Sequence, residues 1–192
     1  MRLLIRRLPF GLFLVFALAS CVLAAPEVTS DYTYYTIRGS TEAELQNQMD
    51  GMGKRGPNGK VYDAYTDWKI RWKCQYESDH RGCRIGSVTT TVHITHTLPK
   101  WLNCSNAAPR LQRKWSRYVD ALKEHERGHS NIALHAAAAV ESALKKLRPA
   151  KDCDRLKAAA DALGEGIVDV FRANELRYEV GVELKLLRGP QL

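Results

Sequence analysis

The chain has 192 residues, 45% of them hydrophobic, which is enough to bury one sizeable core and argues for one domain rather than several. Its formal net charge of +8 at pH 7 is spread along the chain without an aromatic-interleaved basic tract, which excludes a dedicated nucleic-acid-binding segment. The five cysteines form no close C-x-x-C pair, which excludes a four-thiolate zinc site.

In chain order, residues 1–24 read as a secretory signal peptide. Met1 to Arg7 carries three arginines and no acid, Leu8 to Ala19 is almost unbroken apolar, and Val22-Leu23-Ala24 is a cleavage site of the A-x-A kind. The apolar run is too short and wrongly flanked for a stable membrane span. Leu18-Ala19-Ser20-Cys21 also matches the bacterial lipobox, in which the cysteine is lipidated. The expectation is therefore a single mature domain, residues 25–192, secreted or periplasmic. The alternative is an envelope lipoprotein, anchored to the membrane only if Cys21 is lipidated. The leader holds three of the 29 cations and no acid, leaving 26 cations against 21 acids, a mature charge of +5. Outside it, Cys74, Cys83, Cys104 and Cys153 are an even set that suits an oxidising compartment. Of the three connectivities, the favoured one pairs Cys74 with Cys83 across a hairpin and Cys104 with Cys153 at the two ends of a helical segment.

Tyr32 to Ile37 reads as a strand from its aromatic and β-branched content. Thr41-Glu42-Ala43-Glu44 offers a capping box for a short helix reaching about Met52, and Gly53 to Gly59 is a turn-rich loop. From Trp68, the residues Trp68, Ile70, Trp72, Cys74 and Tyr76 alternate with Lys69, Arg71, Lys73 and Gln75, a strict period of two. The loop "ESDHRG" turns the chain into a second strand from Cys83 to Thr97, ended by Leu98-Pro99. On it, His93 lies on the Thr-rich side and reads as a surface residue. His96 shares the apolar parity and reads as a packed edge residue. A long helix follows from about Leu111 to Leu147, stopped by Arg148-Pro149. A last helix, capped by Asp152 or Asp154, runs from about Leu156 into the 180s, with Gly164 and Gly166 as weak points.

The long helix carries the chemistry. At 100° per residue, Leu111, Tyr118, Leu122, His125, His129, Ile132, Ala136, Val140, Ala143 and Leu147 fall within about a 90° arc. Two imidazoles thus interrupt the stripe that packs inward, where an unsatisfied polar group costs on the order of 1–3 kcal/mol. The i, i+4 spacing lets both rings reach one ion, and Glu126 sits beside them, placed to bond a metal-bound water. His125-Glu126-Arg127-Gly128-His129 is H-E-x-x-H on a helix, the pattern of a zinc hydrolase.

The chain resembles a bacterial family of predicted secreted zinc-dependent proteases that is classed as a domain of unknown function. The resemblance rests on the Tyr-rich first strand, "RGST", "TDWKIRW", "TLPKW" and above all "HERGHSNIALHAAAAVESAL", and it spans nearly all of the mature chain. It implies a zincin-like fold and a zinc-dependent peptidase. The family closes with an Asn, a Tyr-Asp pair and a His-Gly. Here Asn174 and Tyr178 fit, Glu179 stands in place of the Asp, and Leu184-Lys185 in place of the His-Gly.

H-E-x-x-H supplies two zinc ligands, and a catalytic site usually takes three. His135 has the metzincin spacing, but Ile132 stands where that motif needs a chain-turning Gly, so His135 points about 100° away on a continuous helix. If the last helix folds back antiparallel, residues near 173 come opposite the histidines. "NELRYE" resembles the gluzincin pattern, in which a first Glu binds zinc and an acid four residues later orients a ligand histidine. Glu175 is therefore expected as the third ligand, with Glu179 as its second-shell partner or substitute, and Tyr178 as an oxyanion donor. In zincins the substrate pairs with a sheet edge, for which the strand from Cys83 to Thr97 is the natural candidate.

The expected fold is α+β, an antiparallel β-sheet packed on two long antiparallel helices in a minimal zincin-like arrangement. The expected function is a secreted zinc metalloendopeptidase with Glu126 as general base, taking a peptide or protein substrate. The alternatives are a non-catalytic envelope protein with a structural or lost zinc site, and a zinc amidase acting on cell-wall peptides.

Overall fold

The strict alternation after Tyr65 produces the longest hairpin of the molecule. In the structure, a computed structural model that describes residues 25–56 and 59–186, strand β4 (Tyr65–Asp79) turns at His80 and Arg81 into β5 (Gly82–Trp101). The two run antiparallel, with Trp68 opposite Ile94 and Ile70 opposite Val92 on the apolar face. On the other face Lys69, Arg71 and Lys73 stand opposite His93, Thr91 and Thr89, as the period of two requires. The expected signal peptide and lipobox lie outside the described residues. Among those residues no helix is long and apolar enough to cross a membrane.

Strand β1 (Glu27–Ile37) begins five residues before the predicted start and joins the far side of β5, giving the order β1-β5-β4. It runs parallel to β5, so the sheet is mixed and not antiparallel as expected. A tight turn dictates direction only within the β4–β5 hairpin. The path from β1 to β5 is a long crossover, which permits the parallel pairing. The expectation of a free edge on the strand from Cys83 to Thr97 is also corrected, because β5 is central and, among the described residues, the edge strands are β1 and β4. Beside β5, Val28, Tyr32 and Tyr34 of β1 stay exposed. Pro99 does not end β5: β4 begins opposite Thr97, so beyond that rung only β1 pairs with the strand and the missing N–H is tolerated.

Thr41 caps helix α1 (Glu42–Met52), its hydroxyl accepting from the Glu44 N–H at 3.2 Å. Glu44 reaches back to the N–H of Ser40, one residue before the cap. Leu45 and Met49 of α1 pack with Ile37, Trp101, Leu111 and Trp115 in one of the cores. The turn-rich loop contains a small hairpin, β2 (Lys54–Arg55) with β3 (Val61–Tyr62).

Helix α2 (Pro109–Lys145) starts on a proline at N1, where the absent N–H costs nothing. It lies on the sheet through Ala133, Ala136 and Ala137, all fully buried against Trp68, Ile70, Val92 and Ile94. Small side chains bring the helix close to the sheet, so the buried line also takes in Glu126, Glu141 and Leu144 beside the predicted arc. Asp152 accepts from the N–H of Arg155 at 2.9 Å and starts helix α3 (Cys153–Leu186), which Gly164 and Gly166 do not break. A Cβ at Gly164 would lie 2.6 Å from the Trp72 indole, so the glycine lets α3 approach the sheet. Near its start α3 packs Ala160 against Leu144, and farther along it packs Phe171 against the cluster around Ala133.

The disulfide joins Cys83 to Cys153, and Cys74 and Cys104 are free, which corrects both predicted pairs. The ladder sets Cys74 opposite Val88, about five rungs or roughly 16 Å from Cys83. Cys104 precedes a helix of 37 residues, about 55 Å long, whose far end leads to Cys153. Cys83 instead exchanges two backbone hydrogen bonds of 2.9 Å with Ala150, which brings it beside the start of α3. Non-reducing peptide mapping should find the Cys83–Cys153 link, with Cys74 and Cys104 open to alkylation. Because the closed loop spans 70 residues, Cys153→Ser should lower urea stability by up to roughly 4 kcal/mol.

Candidate functional site

His125 and His129 stand one turn apart on α2, and their Nε2 atoms approach to 3.3 Å. Glu179, from α3, brings Oε1 to 2.7 Å from His129 Nε2 and 3.2 Å from His125 Nε2. The three atoms form a triangle of two imidazole nitrogens and one carboxylate oxygen, the donor set of a catalytic zinc. Around zinc with ligands at about 2.0–2.1 Å, tetrahedral geometry separates neighbouring ligand atoms by about 3.3–3.4 Å. Two edges of the triangle fit that spacing. The third, at 2.7 Å, is a hydrogen-bond length.

Glu175 does not join the triangle. Its Oε1 accepts from the Trp68 indole N–H at 2.5 Å and its Oε2 from Arg172 at 3.1 Å. Arg172 is itself fixed, its guanidinium 3.5 Å over the Trp68 ring and bonded to the Trp68 carbonyl. Held this way, Glu175 Oε1 lies 3.4 Å from His129 Nδ1, within ion-pairing range though not aligned for a hydrogen bond. The expected positions are thus exchanged: the second acid, Glu179, meets the Nε2 atoms of both histidines, and the first, Glu175, sits behind His129. His135 is exposed and outside the cluster, on the continuous helix that Ile132 predicts.

Tyr178 packs its ring on His125 at 5.3 Å and edge-on to His129 at 5.0 Å. Its hydroxyl donates to the His125 carbonyl at 3.2 Å, so it is engaged with the helix backbone and not open toward the triangle as an oxyanion donor would be. A Cβ at Gly128 would collide with that hydroxyl, which accounts for a glycine inside a helix.

Glu126 is 3% exposed, and its Oε2 accepts from the Thr66 hydroxyl at 2.6 Å. Thr66 in turn lies 2.8 Å from His96 Nδ1. His96 is therefore not an edge residue; it is buried on the central strand and linked to Glu126. His93 is the exposed residue expected, bonded to Thr29. The sequence signal for this second layer was the inward parity of Thr66 with Trp68 and of His96 with Ile94, two polar residues facing each other across the ladder. Arg172 gave no such signal.

Burial shapes the electrostatics. It pushes the Glu126 carboxyl up, against the pull of the Thr66 hydrogen bond and of the two histidines. Burial alone would depress His129, but Glu175 and Glu179 override it and hold the imidazole protonated up to about pH 9. Burial would raise Glu179, yet His125 and His129 bring it down to about 2. Glu175 is also lowered: its burial is outweighed by His129 and Trp68.

A family model described as "Bacterial protein of unknown function (DUF922)" matches residues 32–180. The chain belongs to the DUF922 family. The matched span of this DUF922 chain contains every residue of the cluster, from Thr66 to Glu179. No curated protein and no solved structure matches it.

With a chelator present, the raised His129 should contribute stability that is complete below about pH 6.5 and lost as pH rises through 9. The depressed Glu179 should contribute stability that is complete above about pH 4.5 and lost as pH falls through 2. Urea midpoints against pH should show both limbs, and Glu179→Gln should flatten them. Gly128→Ala should destabilise by about 1–3 kcal/mol although Ala is the better helix former, and in a Tyr178→Leu background the cost should vanish.

Proposed function

We propose that this DUF922 chain is an exported, zincin-like zinc metalloendopeptidase. The observation that carries the proposal is the convergence of His125 Nε2, His129 Nε2 and Glu179 Oε1 within 3.3 Å of one another. Bound there, zinc would lower the pKa of a coordinated water to about 7 and polarise a carbonyl oxygen. Glu126 would be the proton acceptor: Oε2 is tied to Thr66, which leaves Oε1 as the atom that could hold a proton and pass it to a leaving amine. Its upward shift by burial makes it a stronger proton acceptor than an ordinary surface carboxylate. Glu175, braced by Trp68 and Arg172, keeps His129 turned so that Nε2 faces the site. Tyr178 acts as the wall against which His125 packs. The free edge of β1, whose Tyr32 stacks on His96, offers an extended peptide a ladder to join. Export is supported by the leader-like first 24 residues and by the Cys83–Cys153 disulfide.

One observation favours the alternative of a non-catalytic protein of the same fold. The triangle satisfies itself as an ion pair, His129 with Glu179 at 2.7 Å, and so holds together without a metal.

Metal analysis joined to cleavage of a quenched-fluorescent peptide library separates the two. One zinc per chain is expected, lost in His129→Ala and Glu179→Ala and weakened about 10–100-fold in Glu175→Gln. Glu126→Gln should keep the zinc and lose cleavage. A zinc-free protein from zinc-supplemented growth, or full activity in Glu126→Gln, would overturn the proposal.

A further inference from the structure

The reading of Glu126 as the base leaves open what fixes a side chain with three rotatable bonds. The answer lies in the sheet. Thr66 and His96 face each other across the β4–β5 ladder, 5% and 7% exposed, and meet Glu126 from below α2. The Thr66 hydroxyl is 2.6 Å from Glu126 Oε2 and 2.8 Å from His96 Nδ1. A hydroxyl has one proton to give. If it goes to the carboxylate, the contact with His96 must run the other way, and His96 must carry its proton on Nδ1. The bare Nε2 then faces the Ser130 hydroxyl at 3.4 Å, whose proton can go to Nε2 or to the Glu126 carbonyl at 3.2 Å. The Tyr32 ring, stacked on the imidazole at 4.8 Å, covers it from the β1 side. Burial holds His96 below its usual pKa, with His129 adding to the effect, both of which disfavour the charged ring.

We propose that Thr66 and His96 are positioning residues that hold Glu126 as a proton acceptor through a one-way chain of hydrogen bonds, from His96 Nδ1–H to the Thr66 hydroxyl and from that hydroxyl to Glu126 Oε2. This rests on the hydrolase reading for its consequence, though not for its geometry. The chain anchors one carboxylate oxygen to two paired strands and leaves the other free, so the base is set in place before substrate arrives. The opposite direction is chemically distinct. With the proton on His96 Nε2, the Thr66 hydroxyl would donate to Nδ1, and Glu126 Oε2 would have to carry a proton itself, which disqualifies it as a base.

The tautomer therefore decides. Long-range proton–nitrogen correlation of the imidazoles in uniformly ¹⁵N-labelled, zinc-supplemented protein at pH 7 should show His96 neutral and protonated on Nδ1. In Thr66→Val it should move toward the Nε2–H form. His96 charged, or protonated on Nε2 in the unmodified chain, overturns the proposal whether or not any substrate is cleaved. On the quenched-fluorescent peptide library, Thr66→Val should lower kcat by about tenfold or more, with zinc content and KM held, and Thr66→Ser should restore most of it. Unchanged kcat in Thr66→Val also overturns it. If the unmodified chain cleaves nothing, the hydrolase reading fails by itself, and the tautomer still decides the hydrogen-bond chain.

Discussion

The structure depends on the burial of α2 from two sides. Ala133, Ala136 and Ala137 seat it on Trp68, Ile70, Val92 and Ile94, and α3 closes over it through Val168 and Phe171. Arg127, Asn131 and His135 line the exposed side of its middle turns, but the enclosed face has no solvent to turn to, so each polar side chain on that face must find a partner within the protein. Glu141 finds Lys145 at 2.5 Å, one turn along. Glu126 finds Thr66 in the sheet, and His129 finds Glu175 and Glu179 on α3. The polar cluster is the condition on which two histidines and a glutamate occupy this stretch of helix.

The exchange of roles between Glu175 and Glu179 follows from how an imidazole presents itself. Its two nitrogens point to different sides of the ring, so two carboxylates one turn apart on a neighbouring helix can engage both at once. Trp68 decides which does what. Its indole N–H and the Arg172 guanidinium stacked on its ring capture Glu175, on the Nδ1 side of His129. Glu179, one turn further along α3, is left to reach Nε2. Gluzincin-like order in the sequence pointed the other way because it carries no information about the register of α3 against Trp68.

Local pattern made much of the fold legible. The alternation from Trp68 to Tyr76, the capping box at Thr41 and the periodicity of α2 and α3 are set by neighbours within a turn or a strand, and the elements lie where these signals place them. His125, Glu126 and His129 were legible for the same reason, since five consecutive residues on one helix fix their own geometry. What escaped the sequence depends on contacts between distant segments. The parallel pairing of β1, the central place of β5 and the Cys83–Cys153 link each join residues more than 60 positions apart. His96 stood on the right parity, but only the ladder shows that Thr66 is its partner.

The triangle raises one further point about charge. Glu126, Glu175 and Glu179 crowd two imidazoles in a largely buried cluster, and the pull of Glu175 and Glu179 raises the pKa of the His129 imidazole to about 9. A hydrogen bond spans the short edge, between His129 Nε2 and Glu179 Oε1 at 2.7 Å. A divalent ion at the centre would do the same electrostatic work with twice the charge, and would need that edge to open by only about half an ångström toward the other two. A proton and a divalent ion would therefore compete for the same three atoms. The ion pair that lets the helices close without a metal is also what keeps the two nitrogens and the carboxylate oxygen pointed at a common centre, so the packing of α3 on α2 and the convergence of the three atoms have one cause.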